Sequence, residues 1–187
     1  MPLHYVITDA LVALVAAWGV WHMLQSQKPG AALGLALFGL AGAIGTVRIL
    51  SGLVEALAVT HKTVSQLGGI AGASLILSEI VRERLWPHRL IISMLAAAVS
   101  AGLAVIVPPL GAALFLALLV TSAILLIRAG KDHKPSLFGA LGFGLMIINV
   151  LLFRQSPILG PDMSWHVYHV IVALWLGLAA VALKARG

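Results

Sequence analysis

The chain has 187 residues, of which 61% are hydrophobic and only 10% charged, against roughly 25% charged residues in a soluble domain. Such a composition cannot cover a water-facing surface and implies an integral membrane protein in contact with the lipid bilayer. The net charge of +6 sits in short Lys and Arg clusters, a pattern of membrane topology and not of a nucleic-acid footprint, and the lack of cysteine excludes disulfides and thiolate metal sites.

Hydropathy predicts an all-α chain of seven transmembrane helices forming one domain, 1–187. The expected spans are 5–25, 31–53, 62–80, 90–107, 110–127, 136–153 and 165–183, each near the roughly 20 residues that a bilayer needs. The first apolar run lacks a basic leader and is long enough to span, so no cleavable signal peptide is expected. Lys28, Arg82, Arg84, Arg89, Arg128, Lys131, Lys134, Lys184 and Arg186 fall in the connections of one side. The other side keeps Arg48, Lys62 and Arg154. The positive-inside rule then puts the N-terminus outside and the C-terminus in the cytoplasm of a multi-pass cell-membrane protein.

Spans two and six share a plan. Lys28-Pro29 and Lys134-Pro135 open them, and Arg48 and Arg154 close them, at equal intervals. This suggests parallel repeat units, 1–80 and 110–187, joined by a linker helix at 90–107, a 3+1+3 arrangement known among transporters. Gly39, Gly42 and Gly45, with Gly68, Gly69 and Gly72, give small-residue faces that let helices approach closely. Such faces also suit homo-oligomer formation.

The chemistry-bearing residues gather by inferred depth on the outer side. They are His4, Asp9, Arg48, Glu55, His61, Asp162, His166 and His169. His166 and His169, three apart at the head of span seven, share a helical face, and ionisable groups at membrane depth mark sites. His22, His88 and His133 fall in or beside basic connections and read as interfacial. Thr8 or Asp9 reads as a cap of span one, and Thr60 as a cap of span three. Arg48 is expected to pair with Glu55, and Arg154 with Asp162. Gln66 and Asn149 are the polar intramembrane residues best suited to line a cavity.

Histidine is the commonest metal ligand. His61, His166 and His169 could supply three nitrogens to zinc, leaving an open position for a water. Asp9 or Glu55 would then serve as acid or base, and His4, Arg48, Arg154 and Asp162 as supporting or anion-contacting groups. Haem b between His61 and His169 or His166, with Arg48 and Arg154 near its propionates, is a second ligand set. Copper, with Met163, is a third.

Seven spans with His166-Val-Tyr-His169-Val-Ile-Val-Ala-Leu-Trp-Leu-Gly at the head of the last resemble the membrane-hydrolase superfamily of alkaline ceramidases and adiponectin/progestin receptors. The resemblance implies zinc held by two histidines of the last span and one from an earlier span, with Asp and Ser nearby. The family spaces its pair by four where this chain spaces it by three, and its Ser-x-x-x-His in span two is missing, so His61 would replace that ligand. The expected functions are therefore a zinc-dependent hydrolase of a lipid amide or ester, a haem b or copper protein of electron transfer or metal handling, and a metal-free small transporter or accessory subunit. In each the site would face the outer side and take a lipid or small-molecule ligand.

Overall fold

The computed structural model describes residues 2–81, 89–131, 133–154 and 156–185. These form α1 (Tyr5–Gln25), α2 (Pro29–Leu50), α3 (Ala58–Ile80), α4 (Arg89–Ile106), α5 (Pro108–Ala129), α6 (Pro135–Ile148) and α7 (Gly160–Ala185). A π-helical turn, Asn149–Phe153, continues α6. No strand occurs among the described residues. Arg82, Arg84, His88 and Arg186 lie outside them.

Proline sets several of these boundaries. Pro29, Pro108 and Pro135 open α2, α5 and α6, where the missing N–H costs nothing and the fixed φ suits the first turn. Before α7, Gly160 takes a φ of +70° that only glycine adopts freely, and Pro161 follows in the first turn. Helix α7 therefore begins five residues before the expected Trp165. Helix α3 also starts early, at Ala58, so Thr60 lies inside its first turn and is not its cap.

Among the described residues five helices are long and apolar enough to cross a membrane: α1, α2, α5, the α6–π unit and α7. Helix α4 is a shorter apolar helix, and α3 carries Lys62, Gln66 and Glu79 within its length. Large apolar side chains such as Ile7, Leu14, Trp21 and Leu152 point outward from the bundle, the inverse of a soluble surface and the arrangement that lipid requires.

Consecutive helices pack side by side, and α7 returns against α1, closing a ring. Helix α4 lies against α3 and α5, which also touch each other directly. The core centres on Trp175 of α7, fully buried, with Phe38 of α2 and Phe143 of α6 edge-on to it at 4.8 and 5.5 Å. Such edge-to-face pairs add about 0.5–1.5 kcal/mol beyond their burial.

Small residues bring the first three helices together, as their clustering suggests. A methyl on Gly42 would stand 2.7 Å from the Asp9 carbonyl of α1, and one on Gly34 2.7 Å from the Gly72 carbonyl of α3. Both distances are shorter than side-chain carbons tolerate. This close approach of α1 and α2 brings the polar residues near the start of α1 against the end of α2.

Candidate functional site

The start of α1, the end of α2 and the starts of α3 and α7 meet at one end of the bundle, and most of the candidate residues come together there. They form two neighbourhoods. In the deeper one, Asp9 is 1% exposed, with Oδ1 3.2 Å from His169 Nε2. His169 Nδ1 lies 2.8 Å from the Trp165 carbonyl. A carbonyl only accepts, so Nδ1 carries a proton. Nε2 is left facing the carboxyl, and that approach is favourable only with a proton on one of the two groups. Neither Asp9 oxygen has a well-aligned hydrogen bond, so this contact and the nearby Arg48 charge are what answer its burial.

His61 adds a second ring. Arg48 Nη1 lies 3.1 Å from His61 Nδ1. A guanidinium only donates, so Nδ1 accepts and the His61 proton sits on Nε2. Gly45 makes room for the whole group. A methyl there would overlap the Asp9 carboxylate and come within 3.1 Å of His61 Nε2. Any other residue at this point of α2 would push Asp9 and His61 apart.

His166 belongs to the second neighbourhood. Its Nδ1 is 3.3 Å from Thr8 Oγ1, and its ring stands 5.0 Å from that of His4 and 5.4 Å from that of Tyr5. Tyr5 donates to Asp162 and stacks on Trp165 at 4.9 Å, nearly parallel. This cluster joins the first turns of α1 and α7.

Several expectations are corrected. Asp9 lies in the second turn of α1, whose N-terminal flank, His4, makes no side-chain cap, so it does not cap that helix. Asp162 meets Tyr5 and not Arg154, because α7 begins early enough to carry Asp162 across to α1. Arg48 turns to His61. Helix α2 ends at Leu50, and Glu55 stands exposed in the connection beyond it, off the helical face that would have paired it with Arg48. Asn149 is fully buried and donates to the Tyr168 carbonyl at 2.9 Å, whereas Gln66 does line a cavity. Tyr5 and Tyr168 are site residues that the sequence did not single out. Tyr5 meets Asp162 and Trp165 across the bundle and Tyr168 meets Arg154 beyond its own helix, and no spacing rule reaches such partners.

A cavity of about 600 Å³ opens beside the deeper neighbourhood, within the 300–1,000 Å³ typical of ligand pockets. Its lining includes His61, Ser65 and His169, the Trp165 and Tyr168 rings, and Arg154. The Arg154 guanidinium stands over the Tyr168 ring, 5.9 Å from its centre, within cation–π range.

The metal and haem expectations can be set against this geometry. Zinc needs three ligand atoms turned to one point. Here His61 Nδ1 faces Arg48, His166 faces Thr8 and His4, and His169 Nε2 faces Asp9. Among the described residues no group of three or more His, Asp or Glu is arranged to hold a metal ion. Bis-histidine haem needs a free nitrogen from each of two rings, and both nitrogens of His169 are engaged. Met163 is exposed and adds no sulfur ligand to the cluster. As arranged, these side chains serve one another and the cavity wall, and the haem expectation is left with His61 and His166 as its pair.

Neither family models, curated proteins nor solved structures match the chain. The functional reading therefore rests on its own residues.

Proposed function

We propose that this chain is a seven-span membrane protein that binds an amphiphilic small molecule or lipid in the cavity at the His61–His169 end, in a transport or accessory role. The observation that carries the reading is the cavity itself: apolar and aromatic walls, with a few ionisable groups converging on one side. Loop charges support placing this end on the outer face, with the N-terminus outside and the C-terminus in the cytoplasm. The helix ring supports the 3+1+3 repeat. In it α1–α3 and α5–α7 occupy corresponding positions, the α7·α1 and α3·α5 contacts correspond, and α4 packs outside that pair.

The test is binding of dansyl-labelled undecanoate to the protein in phosphatidylcholine nanodiscs, with empty discs subtracted. Ser65→Trp would fill space in the cavity and is expected to abolish saturable binding. Leu14→Trp, on the lipid-facing surface, is expected to leave it unchanged. Equal binding by both variants would overturn the reading.

A zinc-dependent lipid hydrolase is the second reading, and one observation favours it. The bond from His169 Nδ1 to the Trp165 carbonyl is the support that ligand histidines ordinarily have, with Nε2 presented beside a carboxylate. The reading requires His61 to leave Arg48. Elemental analysis decides it. It expects about one zinc per chain, lost in His169→Ala, whereas a metal-free preparation that still binds the amphiphile would reject it.

A further inference from the structure

A second cavity, about 190 Å³, lies between α3, α4, α5 and the π turn. Leu67, Ile70, Ala104, Ala112, Phe115 and Val150 give most of its wall, with Gln66 and Arg154 as its polar side chains. At about 30 Å³ per water it has the volume of some six waters. Its apolar side can take part of a hydrocarbon chain, and its polar side the group at the end of that chain.

Arg154 lines both cavities. Its backbone N–H closes the π turn on the Asn149 carbonyl at 3.0 Å. Asn149 in turn ties the turn to α7 through the Tyr168 carbonyl. The guanidinium is thus carried on a fixed support that both chambers reach. Among the described residues it meets the Tyr168 ring and no carboxylate. A permanent cation, exposed on the shared wall of two cavities and unmatched by an acid, calls for an anion from outside the chain.

We propose that the ligand is a single-chain amphiphile with one anionic group, carboxylate or phosphate, held at Arg154 with the carbons nearest that group in the second cavity. This rests on the reading of the larger cavity as a binding chamber, and it specifies the ligand's charge and the course of its chain. The remainder of the headgroup then faces His61 and His169 across the larger cavity.

The experiment is competition against dansyl-labelled undecanoate in phosphatidylcholine nanodiscs. The competitors are dodecanoate, dodecyl phosphate, dodecanol and inorganic phosphate. The wild-type protein should prefer the anionic chains to dodecanol by roughly 10-fold, the size of one charge-assisted contact, and inorganic phosphate should not compete. Dodecanoate and dodecyl phosphate distinguish a fatty-acid-like ligand from a phosphate-headed one. Arg154→Gln should remove the preference for anions and leave dodecanol binding in place. Ala112→Leu, which narrows the second cavity, should shift the preferred competitor to shorter chains. Equal competition by dodecanoate and dodecanol in the wild type, or an unchanged preference in Arg154→Gln, overturns this proposal while the larger cavity keeps its role. Absence of saturable probe binding in the wild type overturns both.

Discussion

The two ends of the bundle both bury ionisable groups, and they do so differently. At the end without the large cavity, Lys28 is 3% exposed and donates to the Leu183 carbonyl near the end of α7. Lys184 lies 3.2 Å from His22 Nδ1. A cation there meets the negative end of a helix, an arrangement that stabilises and needs nothing further. The cavity beside Gly30 and Glu79 measures about 20 Å³, room for about one water and not for a ligand. At the other end Asp9, His61, His169 and Arg48 meet one another's side chains, and two of the rings border 600 Å³ of open space. Burial of charge is common to both ends. The combination of under-satisfied groups with room for a ligand belongs to one, and that combination marks the site.

Substitutions at the two ends can break or sharpen this contrast. The largest effect is expected for Asp9→Ala, which leaves His61, His169 and Arg48 without their carboxyl. Removing one partner of a buried polar contact costs roughly 1–3 kcal/mol, and more where a charge such as that of Arg48 stands beside it. Thermal unfolding in detergent should show a large fall in midpoint, and probe binding should fall with it. A binding isotherm unchanged in Asp9→Ala would detach the acid from the cavity.

Gly45→Ala comes next. Its methyl collides with the Asp9 carboxylate, and overpacking of this kind costs typically 1–3 kcal/mol. Gly144→Ala is the matched control, because a methyl there meets nothing within 4 Å. A smaller loss in Gly45→Ala than in Gly144→Ala would show that the glycine does not shape the site.

At the opposite end, Lys28→Met should cost about 1–2 kcal/mol, the scale of a partly buried cation at a helix C-terminus. It should leave probe affinity intact, so any matching loss of binding would erase the distinction between the ends. The smallest effect is expected for Tyr5→Phe. It removes the bond to Asp162 but keeps the stack on Trp165, for about 1 kcal/mol. A midpoint shift larger than that of Lys28→Met would make this contact, and not the Asp9 group, the main tie between α1 and α7.

Much of this architecture was legible in the residues. Alternation of apolar runs with charged or proline-bearing connections located all seven helices, and α1 falls on its expected limits. The glycines of α2 and α3 do mark close helix contacts. The gathering of Asp9, Arg48, His61 and the α7 histidines at one end also followed from helix direction alone. The division of His166 from His169 did not. Three residues along a helix give a rise of about 4.5 Å and a turn of about 60°, which suffices to send one ring to His4 and Thr8 and the other to Asp9. Which partner each ring meets is fixed by how closely α1 approaches α7, and that depends on side-chain packing that no local pattern encodes. Likewise the Arg48–Glu55 pair required α2 to run on past Leu50, and the Arg154–Asp162 pair required Asp162 to stay in the connection, whereas it lies inside α7.

The π turn after α6 has a consequence for how this chain can vary. A five-residue hydrogen-bonded turn accommodates one residue more than the α-helix it interrupts. Five residues in this turn therefore sweep nearly the same angle as four in an α-helix. Deleting a single residue between Asn149 and Phe153 would let α6 continue as ordinary α-helix with Arg154 still directed at the Tyr168 ring. The same deletion within Pro135–Ile148, where the helix is regular, would swing everything after it by about 100°. The turn is thus the place in α6 where the chain can lose a residue without re-aiming the cation that borders both chambers.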